Sequence, residues 1–201
     1  MGRHTDSCYD DGALICQAQS GDLCAFNRIV ARYQNQVVNL AARMLGNRGQ
    51  AEDVAQDTFI SAYRSLSRFR GGNLRSWLFR IAANGSRDVL RRRQRRPESS
   101  LEQSLESPSF QPVSGDESPE EATQRSELNS EIQQAILTLA IDQRTALVLV
   151  DVQGLSYSEA AEAMSVSIGT VKSRLSRARS RVRDALMERR ELLGDWIRLD
   201  E

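Results

Sequence analysis

From Phe26 the apolar positions fall at Ile29, Val30, Tyr33, Val37, Leu40, Ala41, Met44 and Leu45. That is the i, i+3, i+4, i+7 stepping of one helix face, sustained over about five turns. A shorter, weakly helical segment, Asp10 to Ser20, precedes it; Gly21 ends that segment and Asp22 is placed to cap the next. Gly46 and Asn47 supply the stop. A second periodic stretch runs from about Gln50 to Leu66, with Val54, Ala55, Thr58, Phe59, Ala62, Tyr63 and Leu66 inward. Glu52 and Asp53 in its first turn suit the positive end of the helix dipole. Phe69-Arg70-Gly71-Gly72-Asn73 reads as a loop, and its two glycines give the backbone unusual freedom. A third helix follows, with Leu74, Trp77, Leu78, Ile81 and Ala82 on its apolar stripe. Gly85 inside it costs about 1 kcal/mol relative to alanine, which predicts a frayed or bent end. Three helices of this length can bury one core as a bundle.

The second half repeats the pattern. Leu128, Ile132, Ala135, Ile136 and Leu139 form a helical stripe, and Asp142 to Val152 is a compact apolar helix closed by Gly154. In the next stretch, Ser156 and Glu159 have the spacing of a capping box, in which two side chains satisfy the free donors that open a helix. That helix runs to about Met164. Ser165-Val166-Ser167 is too brief for anything but a turn. Ser167 then caps a last helix whose apolar positions are Val171, Leu175, Ala178, Val182 and Leu186. Two helices and a tight turn make a helix-turn-helix. Alone, this half has about 65 residues, near the lower limit for independent stability. The fold class is all-α, in two small helical domains.

Charge sharpens this picture. The 201-residue chain carries 27 basic and 27 acidic residues, yet the signs are segregated. From Arg64 to Arg96 there are 11 arginines and one acid, Asp88; from Pro97 to Glu127 there are 8 acids and one base, Arg125. Lys172, Arg174, Arg177, Arg179, Arg181 and Arg183 share the last helix with no acid between Ile168 and Arg183. A solvated helix usually mixes signs, because like charges at i,i+4 cost a few tenths of a kcal/mol each. Here Arg177 and Arg181, and Arg179 and Arg183, stand at that spacing. A helix apolar on one stripe and cationic elsewhere suits the phosphate-lined major groove; the competing reading is an arginine-rich surface helix.

Aromatic residues beside arginines and a glycine loop suit single-stranded nucleic acid, where bases stack on rings and cations follow the backbone. Phe69, Trp77 and Phe79 are the candidates. Trp77 lies on the apolar stripe, so core packing competes for it, while Phe79 and Arg80 point elsewhere on the helix. Between the halves, all four prolines lie before Glu120 among serines and acids. Such a linker has no means of burying a core. Its 31 residues, Pro97–Glu127, span about 30 Å as a coil and roughly 100 Å stretched out. Two domains on this tether can occupy separate parts of one large partner.

Several classes are excluded. The longest continuous apolar run is Ala146–Val150 and the first residues are polar, so neither a membrane span nor a signal peptide is expected and the cytoplasm is the expected location. Cys8, Cys16 and Cys24 fit neither a disulfide framework nor a CxxC pair. The spacing His4-x3-Cys8 leaves a zinc or redox site open beside incidental thiols. The single histidine lies in the N-terminal tail, no nucleotide-binding glycine loop is present, and no cysteine has a base beside it. No enzymatic activity, cofactor or metal is expected.

The segments AEDVAQDTFISAYRSLSRFRG (51–71), SWLFRIAANGSRDVLRRRQRR (76–96) and GLSYSEAAEAMSVSIGTVKSRLSRARSRVR (154–183) together resemble a bacterial RNA polymerase sigma factor of the extracytoplasmic-function (group IV) type. They occur in that family's order and at its spacing. The resemblance implies an N-terminal tail (1–9), a first domain (10–96) that binds core polymerase and recognises and melts the −10 element, the acidic linker (97–127), a second domain (128–193) that reads the −35 element, and a C-terminal tail (194–201). It implies that Asp53, Gln56, Asp57 and Phe59 meet the coiled-coil clamp of the polymerase β′ subunit; by itself the acidic face there reads as merely solvated. The same resemblance assigns Phe69, Arg70, Asn73, Trp77, Arg80, Asn84, Arg87 and Arg91 to −10 DNA, and Thr170, Lys172, Ser173, Arg174, Arg177 and Arg179 to −35 DNA. The implied partners are core RNA polymerase (β′ clamp and β flap), promoter DNA and an anti-sigma factor, and the linker would thread near the active centre, its charge mimicking RNA. Three departures stand out. The loop Phe69–Asn73 is one residue shorter than the commoner form. Ser165 stands where such turns often carry glycine, and Arg174 where some relatives place an apolar residue.

Two rival classes share these features. A dimeric helix-turn-helix regulator would bind palindromic duplex DNA by itself. A transposase or recombinase would need a clustered acidic or serine catalytic site, and none is apparent.

Overall fold

The computed structural model describes residues 11–95 and 119–193, with side chains described over 11–95 and 125–188. The expected tails, Cys8, His4, Arg96 and most of the acidic linker lie outside the described residues. Eight α-helices are seen among the described residues: α1 Asp11–Gln19, α2 Leu23–Leu45, α3 Arg48–Ser65, α4 Leu74–Arg95, α5 Pro119–Leu137, α6 Ile141–Leu147, α7 Tyr157–Met164 and α8 Ile168–Leu193. A 3-10 turn, Leu66–Arg68, extends α3, and a π turn, Val148–Val152, extends α6.

The boundaries follow from local chemistry. The Asp22 carboxylate accepts from the Cys24 and Ala25 amides and opens α2. Gly46 closes it in the left-handed region at φ 70°, where a side chain would be strained; a Cβ there would also lie 2.6 Å from Leu137 Cδ1. Asn47 serves the next helix rather than the last, its side chain accepting from the Gln50 amide. Both arms of the Ser156–Glu159 capping box are present, and the Ser167 hydroxyl accepts from the Thr170 amide.

Two expectations change. Residues 119–127, expected to have no regular structure, are helical: α5 begins at Pro119, a residue that tolerates the first helical position because the amide it lacks would be unpaired there. The helix α4 passes through Gly85 without a break to Arg95. A Cβ at Gly85 would make an ordinary contact with Val54 Cγ1 at 3.4 Å, so α3 and α4 pass close together there.

The first-half core is built from α2, α3 and α4 around Ile29, Val37, Leu40, Met44, Ala62, Leu78 and Phe79. The second centres on Ile136, Val148, Leu149, Ala160, Val171 and Leu175. Leu128, expected on the stripe of α5, is exposed instead. Asp11 ties α1 to α2, accepting from Arg32 at 2.6 Å and from the Tyr33 hydroxyl at 2.5 Å. Burial first, and then that bond, push the Tyr33 phenol up to about 12.

The halves are packed on each other. Arg43 and Gln133 exchange two hydrogen bonds at 3.0 and 3.3 Å. Arg75 donates to Gln36 at 2.8 Å and to the Gln153 carbonyl.

Ser165 adopts φ 55° and ψ 46°, the left-handed conformation expected at this turn. For a non-glycine residue this costs about 1–2 kcal/mol, and glycine's greater unfolded-state freedom offsets part of any relief. Ser165→Gly is therefore expected to raise stability by about 0.5–1 kcal/mol, read as a higher thermal midpoint.

Candidate nucleic-acid interface

Three surfaces carry the residues singled out from sequence. The first is on α3, where Glu52, Asp53, Gln56 and Asp57 are exposed while Val54, Ala55 and Thr58 are buried beneath them. Phe59, expected on this face, is 8% exposed and packs into the core. It nonetheless lines an apolar groove on this side, beside Ile60, which is 41% exposed. The groove, of about 680 Å³, runs beside the acidic face, lined by Leu23, Phe26, Val30, Ile60 and Tyr63 among others. Tyr63, expected inward, is 45% exposed and meets the Phe26 ring edge-on at 5.0 Å. An isoleucine off the stripe of a periodic helix was the available signal for this groove.

The second surface is the loop Phe69–Asn73 with α4. Gly71 and Gly72 stand at φ 96° and 101°, the freedom expected of them. The Phe69 and Trp77 rings are tilted against each other at 5.0 Å. Both line a cavity of about 230 Å³ with Arg68, Arg70, Asn73 and Arg80. Phe79 is corrected: it is 0% exposed and belongs to the core, under the Arg75 guanidinium. Asn73 has two tasks. Its Oδ1 accepts from the Ser76 amide and caps α4, while its Nδ2 donates to Glu159 of α7 at 2.7 Å. Glu159 Oε1 also accepts from Ser76 Oγ at 2.8 Å. The Ser156 backbone and hydroxyl, with help from Ser76 and Asn73, hold the Glu159 carboxyl below the usual carboxylate range. Farther along α4, Asn84 and Arg91 are exposed, but Arg87 is paired with Asp142 at 3.0 Å.

The third surface is α8. Lys172, Ser173 and Arg177 are exposed and Thr170 is half-buried. The Lys172 ammonium lies 5.8 Å from the centre of the Tyr157 ring. Arg174 is not displayed: it pairs at 2.8 Å with Asp142 Oδ2, so one carboxylate holds Arg87 and Arg174 together. Arg179 forms a two-pronged bond with Asp151, at 2.9 and 2.7 Å. Val171, Leu175 and Ala178 are buried, so the stripe expected to anchor this helix does so.

The second and third groups thus meet at Asp142, which holds Arg87 and Arg174, and several cations are paired with acids of the second half. Sequence periodicity gave no sign of those partners, Asp142, Asp151 and Glu159, because none lies near its arginine or asparagine in sequence. Among the described residues no group of three or more histidine, cysteine or acidic side chains is placed to hold a metal. None of the described helices is long and apolar enough to cross a membrane.

Two family models match this chain: sigma-70 region 2 over residues 29–96 and sigma-70 region 4 over residues 129–182. The RNA polymerase sigma-H factor of Pseudomonas aeruginosa is 40% identical over 183 residues, covering 88% of this chain and 93% of the relative. The extracytoplasmic-function sigma-E factor of Escherichia coli K12 is 38% identical over 176 residues, covering 86% and 92%. Among solved structures, the sigma factor RpoE bound to the anti-sigma factor NepR, from Bartonella quintana, is similar with a TM-score of 0.64 and 30% identity, covering 81% of this chain and 96% of that one. CnrH bound to the cytosolic domain of CnrY is similar with a TM-score of 0.63 and 29% identity, covering 89% and 97%.

Proposed function

This chain belongs to the extracytoplasmic-function class of sigma-70 factors, and from that premise we propose how its surfaces divide the work of initiation. A sigma factor binds core RNA polymerase and promoter DNA and directs promoter-specific initiation; it is not an enzyme, and the polymerase supplies the chemistry. In our reading the first domain, 10–96, docks on the β′ clamp through Asp53, Gln56 and Asp57, with Ile60 and the adjoining groove supplying the apolar part. Phe59 supports that face from below. The loop and α4 take the melted −10 strand: Phe69 and Trp77 offer ring faces to unpaired bases, and Arg70, Asn73, Arg80, Asn84, Arg87 and Arg91 follow the backbone and base edges. The second domain meets the β flap and places α8 in the −35 major groove through Thr170, Lys172, Ser173, Arg174, Arg177 and Arg179. The acidic linker spans the two and passes near the active centre. The chain works in the cytoplasm, and an anti-sigma factor restrains it by covering these same surfaces; the similar RpoE structure is a complex with the anti-sigma factor NepR.

The observation that carries this reading is the pairing, in one chain, of an aromatic-lined loop beside an arginine-rich helix with an acid-free stretch of cationic helix. One suits opened strands and the other duplex. A dimeric regulator has no use for the first.

Reconstitution with core polymerase on a promoter library tests it. The free chain, whose Asn73, Arg87 and Arg174 are engaged by its own acids, is expected to bind promoter DNA weakly, and defined run-off transcripts are expected once core enzyme is added. No gain in promoter-specific initiation would overturn the reading. Arg174→Ala is expected to weaken −35-dependent initiation by about 1–3 kcal/mol, whereas an equal loss on all −35 sequences would make it a phosphate contact only.

A further inference from the structure

The loop Phe69–Asn73 carries two adjacent glycines that no neighbour crowds. Gly71 and Gly72 are both at positive φ with nothing within 4 Å of where their Cβ atoms would be, so neither side chains nor crowding determine the loop's path. Its path is set at its two ends. The far end is Asn73, which caps α4. The near end is tied by a residue outside the segment 29–96 that the sigma-70 region 2 model matches: Gln19, in the last turn of α1. Its amide nitrogen donates to the Leu66 carbonyl at 2.9 Å and to the Phe69 carbonyl at 2.9 Å.

The chemistry of that tie is complete. A primary amide has two N–H donors, and here each finds a main-chain carbonyl at the end of α3. The Leu66 carbonyl already accepts from the Phe69 amide at 3.0 Å, so Gln19 reinforces a tight turn that otherwise rests on one bond. The Phe69 carbonyl stands where the backbone leaves the turn in extended form, at φ −71° and ψ 111°. Holding it fixes the direction in which the loop departs and keeps the Phe69 ring on Trp77. The helix α1 is itself anchored, at its other end, through Asp11 to Arg32 and Tyr33.

We infer that Gln19 is a positioning residue for −10 recognition, setting the entry of the Phe69–Asn73 loop and thereby the selectivity of the strand-reading face. The inference rests on the proposed assignment of that loop to the −10 strand. Gln19 is exposed, so replacing it leaves the core intact. Gln19→Met keeps the length and helix propensity and removes both donors; Gln19→Glu keeps the shape but presents a carboxylate that repels the two carbonyls.

The test uses full-length protein with core polymerase on promoters carrying each of the four bases at every −10 position. Both variants are expected to lose roughly 5- to 150-fold in initiation on the preferred −10 sequence, the range for two neutral hydrogen bonds, and to flatten the preference among bases. Dependence on the −35 element should stay as in the parent, and the thermal midpoint should fall by no more than the loss of two hydrogen bonds accounts for. An unchanged base preference in both variants, with Trp77→Ala altering it, overturns the inference. A uniform loss on every promoter with a lower thermal midpoint also overturns it, leaving Gln19 as a strut. If Trp77→Ala too leaves the preference unchanged, the −10 assignment of the loop fails, and the inference with it.

Discussion

Phe79→Ala is expected to lower the stability of the first domain by about 3–5 kcal/mol, while Trp77→Ala, two residues away, is expected to leave the domain folded and remove strand binding instead. Phe79 is a fully buried residue of α4, and its removal leaves a cavity that the surrounding core can only partly close. A native domain has about 5–15 kcal/mol of stability in all, so a loss of that size leaves a substantial unfolded population. Trp77 is half-buried, with one side against Phe69 and the other lining the 230 Å³ cavity. Its loss exposes little core but deletes a stacking surface worth about 1–3 kcal/mol per base. Urea denaturation separates the first effect from the second. Binding of a single-stranded −10 oligonucleotide by the polymerase-bound chain reads the second. If Trp77→Ala unfolds the domain and Phe79→Ala spares it, the two roles are reversed.

That pair also shows where periodicity succeeds and where it slips. Stepping from Leu74 selected Trp77, Leu78, Ile81 and Ala82. Leu74, Leu78 and Ala82 are buried and Trp77 and Ile81 pack half-buried against the core, but Ser76, Phe79, Ala83, Ser86 and Leu90 are buried as well. The stripe is wider than the stepping suggested because α4 packs against α2 and α3 together. Tyr63 failed similarly: an aromatic at an inward step turned out beside Phe26, on the groove. Caps were legible because their chemistry is local. Asp22, Gly46, Ser156 and Ser165 each act within a few residues of themselves, as does the Glu159 Oε2 arm of the capping box, and their conformations follow the expectations. Pairings between the halves were not legible, since an arginine carries no mark of which distant acid it meets. The family came through because 51–71 and 76–96 hold helix-specific residues at fixed spacing; the occupancy of Arg87 and Asn73 by acids depends on how the domains dock.

Arg144→Ala is expected to cost about 2–4 kcal/mol, more than any surface arginine in the chain, although nothing in its sequence neighbourhood distinguishes it. Arg144 is 7% exposed and its guanidinium donates to the Met44 carbonyl at 2.6 Å, the Leu139 carbonyl at 3.1 Å and the Leu137 carbonyl. Met44 is in the last turn of α2 and Leu137 is the last residue of α5. Helix C-termini leave carbonyls without partners and carry partial negative charge. One buried cation therefore closes two helix ends from different halves of the molecule, compensated by main-chain dipoles. Burial, with Arg93 nearby, lowers its hold on its proton below that of an ordinary arginine, but a guanidinium starts high enough to remain charged. Truncation strands the buried carbonyls at a cost of about 1–3 kcal/mol each where water does not replace the donor. Arg144→Lys is expected to recover only part of the loss, because an ammonium lacks the planar fork that spans both helix ends. Urea denaturation of the full chain compares the three. A full rescue by lysine would mean that charge at the helix ends suffices and the fork geometry does not matter. A loss below about 1 kcal/mol for alanine would mean that water takes over at both carbonyls.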